Sequence, residues 1–475
     1  MTGPSATLRE EGAQVEARSA DLRKDLGVAD LTLTQILFIV GLPWVGVAAK
    51  QGPAHVVFWL AAIAFFYLPS AAVVIHLNRA MPLEGGLYQW AKIGLNDLTG
   101  FLVAWNLWLF AILNTSETGL QVTQYFRYIF GAGSDRVIGS NWVVALANLL
   151  ILSALAAVTI RGLSVGKWLH KSGGALMLAT FAMLVVLPWL NLAHGTIPTF
   201  HPLATAMPAM SIMSLNLFGK MGFGALGGFE YVAIHAGECH NPTRAIARSV
   251  TIAAPVIALM FILGTSSVLA LVPFDQIDLI APIPQVLSAG FAPLGRVGGI
   301  ATVTILVLLA IRIAQASVMF AGNTRLPMVA GWDGLLPAWF TRLHGRYQTP
   351  VNSILFVGAV TLAFSMIGLV GVGKQEAFQL LWNASGIFYA LTYLVMFAIP
   401  IAGKGAARGP LWLRLASLSG LLMTLLYVGL SILPIVDVAS QLVFALKIST
   451  VIALTNLAGW ALYSRARRRR PSPVV

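Results

Sequence analysis

Ile39-Val40-Gly41-Leu42-Pro43-Trp44-Val45-Gly46 places two glycines and a proline inside an apolar run that extends over 31–49. Gly222-Phe223-Gly224-Ala225-Leu226-Gly227-Gly228-Phe229-Glu230 interrupts a second run, over 211–236, in the same way. Proline has no N–H to donate and glycine weakens a helix, so both runs predict helices broken at mid-depth. Glycine and proline are common where membrane helices pack closely, which explains one such break on its own. Two breaks five helices apart read instead as corresponding positions in two five-helix repeats. Five is odd, so the second repeat enters the membrane inverted. Discontinuous helices facing a mid-membrane site are a feature of secondary transporters.

Around these two, further apolar runs fall at 56–79, 98–124, 139–160, 172–193, 248–272, 297–324, 351–372, 377–402, 413–432 and 439–463, making twelve. They suit membrane-spanning helices and are too long and too uniformly apolar for barrel strands. The 475 residues are 58% hydrophobic and 10% charged, against about 25% charge in soluble domains, which excludes a soluble globular protein. The single cysteine, Cys239, excludes a disulfide framework and a cysteine metal cluster. The expected organisation is an all-α integral membrane protein. A polar tail spans 1–28, with no apolar core of a signal peptide. Repeats follow over 29–193 and 211–402, then a helix pair over 413–463 and a basic tail over 464–475.

The net charge of +13 does not signal nucleic acid, because the basic residues punctuate the apolar runs. With the N-terminus inside, 22 Lys and Arg fall in inside segments and 5 outside (Lys50, Arg127, Arg136, Arg296 and Lys374). That asymmetry predicts both termini in the cytoplasm and a place in the cytoplasmic membrane. The terminal Arg467-Arg468-Arg469-Arg470 reads as a stop-transfer and anionic-lipid patch.

Four ordered motifs add a resemblance. They are Pro82-Leu83-Glu84-Gly85-Gly86-Leu87-Tyr88-Gln89-Trp90 and Ala225-Leu226-Gly227-Gly228-Phe229-Glu230, then Glu238-Cys239-His240-Asn241-Pro242-Thr243-Arg244-Ala245-Ile246-Ala247-Arg248, and last Asp333-Gly334-Leu335-Leu336-Pro337 followed by Thr349-Pro350-Val351-Asn352. In this order they resemble the amino acid–polyamine–organocation permeases over roughly 30–460. The resemblance implies a LeuT-type fold: ten core helices in two inverted repeats, broken helices 1 and 6, and two C-terminal helices. It also implies that backbone near Gly41, Leu42, Pro43 and Trp44, and near Ala225, Leu226, Gly228 and Phe229, holds the substrate. Exposed helix ends there suit a carboxylate or an ammonium. Trp44, Phe223 and Phe229 shape or gate the pocket, or are plain core aromatics.

The departures matter. Pro43 stands where relatives have a second glycine, so one N–H for a substrate carboxylate is missing. Either Leu42 and Trp44 amides serve instead, or the substrate lacks that group. Gly224 stands where some relatives carry a bulky aromatic, so the pocket is wider or is gated from elsewhere. The lysine that many sodium-independent relatives carry in helix 5 is absent; aligning from His170 puts its position near Met177, and Lys171 reads as a topology charge.

Buried charges are costly in a bilayer and are functional candidates. Arg312 in the eighth run either replaces an ion between helices 1 and 8 or forms a salt bridge with Glu117 or Glu230. Glu230 is the first candidate for proton coupling, or is a paired structural carboxylate. Lys220 draws an anion at the outer vestibule or pairs with Glu117. Lys447 snorkels or makes an oligomer contact. Glu84, Glu238, Arg244 and Arg248 form inner-gate ion pairs or are topology charges.

No phosphate loop and no H-E-x-x-H motif occurs. The expectation is therefore not an enzyme, with no cofactor and no resident metal. It is a gradient-driven permease for an amino acid or related amine, working by proton symport or substrate exchange. Its expected partners are the small-molecule substrate, the lipid bilayer and a proton as co-substrate, with the chain a monomer or homodimer. The alternative is a ligand sensor on the same fold without net transport, which a long soluble output domain would favour.

Overall fold

The computed structural model describes residues 13, 17, 24–138, 140–294, 298–332, 334–368, 374–435, 438 and 440–469. The expectations for most of the N-terminal tail, for residues 470–475 and for Asp333 lie outside the described residues. The described chain is helical, and its one isolated main-chain bridge joins Leu26 to Cys239 in parallel.

The helices follow the predicted runs. The first is split into α1 (Val28–Ile39) and α2 (Pro43–Ala49). Then come α3 (Gly52–Ala80), the short α4 (Leu87–Gly94), α5 (Asp97–Phe130, with a turn at Glu117), α6 (Asn141–Arg161) and α7 (Leu163–Ala193). α8 (Ile212–Gly219) widens into a π turn over Lys220–Ala225, stops, and resumes as a tight 3-10 stretch over Tyr231–Glu238. The rest is α9 (Pro242–Leu271), the short α10 (Pro282–Phe291), α11 (Gly298–Trp332), α12 (Val351–Gly368), α13 (Lys374–Ala402), α14 (Leu411–Ser431) and α15 (Gln441–Arg469).

Local chemistry sets several starts. Asn96 Oδ1 accepts the Thr99 N–H at 2.9 Å to open α5. Asn241 Oδ1 accepts the Arg244 N–H at 3.1 Å to open α9, with Pro242 in the first turn where its missing N–H costs nothing.

Nine helices among the described residues are long and apolar enough to cross a bilayer. The other three expected runs are helical but shorter or broken: α1 with α2, α8 with its continuation, and α12. α11 is the central helix, with 72% of its apolar window buried, while α15 is peripheral at 17%. α11 packs on α7 and α5, α1 on α7 and α9, and α13 on α5 and α14. Leucines and tryptophans that remain exposed, such as Leu60, Trp142 and Leu457, form the kind of outer face that lipid covers.

Candidate functional site

Both helix breaks open onto one cavity inside the bundle. Gly41, Leu42, Pro43 and Trp44 line it from the first break, and Phe223, Gly224 and Gly227 from the second. Ala225, Leu226 and Phe229 are fully buried and lie behind this wall. There Phe229 stacks on Tyr67 with centroids 4.7 Å apart.

The small residues at the breaks have a steric cause. A Cβ on Gly224 would sit 2.5 Å from Trp44 Cη2, and one on Gly41 2.6 Å from Trp44 Cδ1. The indole of Trp44 therefore occupies a slot between the two glycines and tilts against Trp382, centroids 5.1 Å apart. The space beside Gly224 is filled by the Trp44 ring from the first break. Gly228 has φ +142°, and a Cβ there would lie 2.6 Å from Ile39 Cγ1. The two breaks thus abut through a backbone position that only glycine fits.

The breaks are satisfied by side chains from elsewhere. Gly228 N–H donates to the Tyr393 hydroxyl at 2.6 Å. The Tyr389 and Tyr393 hydroxyls each donate to the Glu230 carboxylate, one to each oxygen. Both tyrosines sit on α13, four residues apart and so on one face. Tyr389 also lines the cavity. The partners of the Glu230 carboxylate are thus two phenols rather than a cation.

Arg312 lines the cavity from α11 but turns to α5. Its Nη2 lies 3.6 Å from Glu117 Oε1 and donates to Asn114 O at 3.2 Å and Thr118 Oγ1 at 3.3 Å. The carbonyls of the first break are served instead by Gln315, one helical turn further on. Lys220 does not pair with Glu117. It donates to Asn383 Oδ1 at 2.9 Å and lies 5.7 Å from the Tyr427 ring centroid. Lys447 lies 3.4 Å from Glu376 Oε1. Lys171 is 3.6 Å from Asp30 Oδ1, and Met177 is buried in the core.

Pro43 has a clear consequence. The Trp44 N–H, one of the two amides expected to replace the lost donor, is already bonded to Gly41 O at 3.1 Å. Arg312 is then the cationic side chain on the described cavity wall.

A charged cluster lies beyond the second break. Arg325 Nη2 donates to Glu238 Oε1 at 2.6 Å, and His235 Nδ1 lies 3.3 Å from Glu238 Oε2. Gly237 N–H donates to Glu84 Oε2 at 2.7 Å. Glu238 is deeply buried, which pushes its carboxyl up, yet the Arg325 guanidinium and His235 together hold it below its usual range. Glu84 is pushed up to about 8 by burial and next by the Glu238 carboxylate. Arg244 and Arg248, expected in this cluster, are exposed instead. The main chain before α1 is strapped to the same place. Asp25 and Leu26 N–H groups donate to Glu238 O at 3.0 and 3.1 Å, and the Lys24 ammonium donates to Gly237 O.

Sequence reasoning missed α13 as a wall. Trp382, Ser385 and Tyr389 line the cavity from it. The available signal was Tyr389 and Tyr393 at helical spacing among polar neighbours Asn383, Ser385 and Thr392.

A family model described as amino acid permease matches residues 26–454. The chain belongs to the amino acid permease family. It is 24% identical to an uncharacterised transporter of Legionella pneumophila, over 80% of this chain and 81% of that one. It is also 24% identical to the branched-chain amino acid permease BcaP of Bacillus subtilis, over 76% and 80%. With the methylthioribose transporter of the same organism it shares 23% identity, over 76% and 78%. With the nine apolar helices, membership makes this a multi-pass membrane protein and a transporter by kinship rather than an enzyme.

Proposed function

We propose that this permease moves an amino acid, or a related amine, across the cytoplasmic membrane by alternating access, as a proton symporter or a substrate exchanger. The carrying observation is the cavity walled by both helix breaks at once, with the Arg312–Glu117 pair at its edge. Rocking of either broken helix changes the walls of the same cavity, which is what opening to alternate sides requires. All twelve runs cross the membrane in this reading, with both termini in the cytoplasm.

Arg312 attracts the carboxylate that Pro43 and Trp44 no longer serve, and Glu117 meets the amine. Trp44 and Phe223 close over the apolar part of the substrate. Glu230 is the proton carrier. It is joined to the cavity wall by Tyr389, so the occupant of the cavity and the charge on Glu230 act on one phenol.

The test is uptake into liposomes of a labelled amino acid and amine panel, under an inward proton gradient and with unlabelled panel inside. Accumulation of one chemical class is the expected result. Uptake driven only by the internal panel selects exchange over symport. Saturable binding without any uptake overturns transport in favour of a ligand sensor on this fold.

A further inference from the structure

The first helix break takes the usual helical donor away from Leu37 O and Val40 O. In an unbroken helix Leu37 O would accept from the Gly41 N–H, and Val40 O from the Trp44 N–H. Here the Gly41 N–H donates to Ile39 O at 2.7 Å and the Trp44 N–H to Gly41 O at 3.1 Å. Both released oxygens converge on a single atom, Gln315 Nε2, which lies 2.9 Å from Leu37 O and 2.9 Å from Val40 O. Gln315 is 8% exposed and lies on the cavity wall. Both partners are acceptors only, so the amide nitrogen must face them, and a primary amide offers one N–H to each.

Two convergent carbonyl oxygens at a helix C-terminal end are also a partial shell for a small hard cation. We propose that Gln315 does with a neutral amide what a bound monovalent cation would do there: it clamps the end of α1 to α11, and the broken helix holds its shape without a metal ion. The role foreseen for Arg312 at this joint thus falls to Gln315, while the Arg312 guanidinium is held on α5 by Glu117, Asn114 and Thr118. Gln315 is a positioning residue, since it acts through the backbone of α1. The consequence for coupling, transport indifferent to sodium, rests on the transport reading; the clamp itself does not.

The oxygen pair can be exposed by substitution. Gln315→Ser and Gln315→Glu each remove the two N–H donors and leave an oxygen in their place. The full chain is placed in lipid nanodiscs, and sodium chloride is titrated against choline chloride at matched ionic strength. Thermal unfolding and amide hydrogen exchange over residues 36–44 are followed. For the wild type the two salts give the same midpoint and the same exchange. For the variants, exchange in choline is about tenfold faster, the effect of losing a buried hydrogen-bond pair. Sodium restores protection along a saturable curve.

Saturable stabilisation of the wild type by sodium overturns the proposal, whatever the variants do. So do variants that fold and are blind to sodium. A variant that accumulates only when sodium is present supports it. None of these readouts needs a substrate, so a failure of uptake strikes the transport reading alone. Where uptake is measurable, equal wild-type rates in sodium and in choline are expected.

Discussion

The two helix breaks are closed by opposite chemistry. At the first, the orphaned groups are carbonyls, Leu37 O and Val40 O, and a donor answers them, the Gln315 amide. At the second, the orphaned group is the Gly228 N–H, and an acceptor answers it, the Tyr393 hydroxyl, which donates its own proton onward to Glu230. A helix interrupted in its middle exposes C-terminal carbonyls on one side and N-terminal amides on the other. Each break here has one of these ends capped by a neutral side chain from a neighbouring helix, α11 for the first and α13 for the second. The first cap ends in the amide. The second leads on to a carboxylate, that of Glu230.

The comparison breaks hardest where the breaks touch. Gly228→Ala demands φ +142° from a residue with a side chain and sets its Cβ 2.6 Å from Ile39. A cost of about 1–3 kcal/mol or more is expected, together with near-complete loss of uptake. An unchanged unfolding midpoint would mean that the two breaks do not abut in the working protein.

Next in size is the pair Tyr393→Phe and Tyr389→Phe. The first leaves both the Gly228 N–H and one Glu230 oxygen without their partner, the second only a Glu230 oxygen. About 1–3 kcal/mol is expected for the first and less for the second. Tyr389→Phe, on the cavity wall, weakens apparent substrate affinity more. Equal losses of stability would show that Tyr393 does not serve the second break.

Gly224→Ala sharpens the role of Trp44. The added methyl meets Trp44 Cη2 at 2.5 Å and tips the indole toward the cavity. A KM increase of about tenfold with a nearly unchanged unfolding midpoint is expected, as one methyl group in a fitted pocket produces. An unchanged KM would place Trp44 outside the path of the substrate.

The smallest effect lies beyond the second break. Glu84 is held up to about 8, against 4.5 in the unfolded chain, chiefly by burial and next by the Glu238 carboxylate. Its folded form keeps the proton longer, so its contribution to stability is full below about 4.5 and is lost as pH rises toward 8. Glu84→Gln removes this slope and still accepts the Gly237 N–H. The expected result is a flatter profile of unfolding midpoint against pH, with the variant ahead on the alkaline side. Parallel profiles would refute it.

The breaks were legible in the sequence because glycine and proline have backbone chemistry that no environment rewrites. The same holds for the order of the motifs, which carried the family. The walls were less legible. Tyr389 and Trp382 look in sequence like any aromatic on an apolar helix, and only the rotation of α13 decides whether they meet a cavity or lipid. Arg312 was rightly singled out as buried, with Glu117 among its weighed partners. The residue that meets α1 is three positions further along, and a single glutamine gives no sign of the carbonyls it will face. Arg325, one of the 22 inside charges, is the partner of Glu238 because α11 carries it beside the second break.

The strap before α1 has a practical consequence. Leu26 pairs with Cys239 by a main-chain bridge, and Cys239 is the one cysteine in the chain. Cys239 is 2% exposed, and burial pushes its thiol upward, so little reactive thiolate exists in this state. Peeling of the strap from Glu238 is expected to expose the neighbouring thiol. The native chain therefore carries its own clock for that motion: the rate at which a maleimide dye couples to unmodified protein, with and without candidate substrates, times how often this end of the bundle opens.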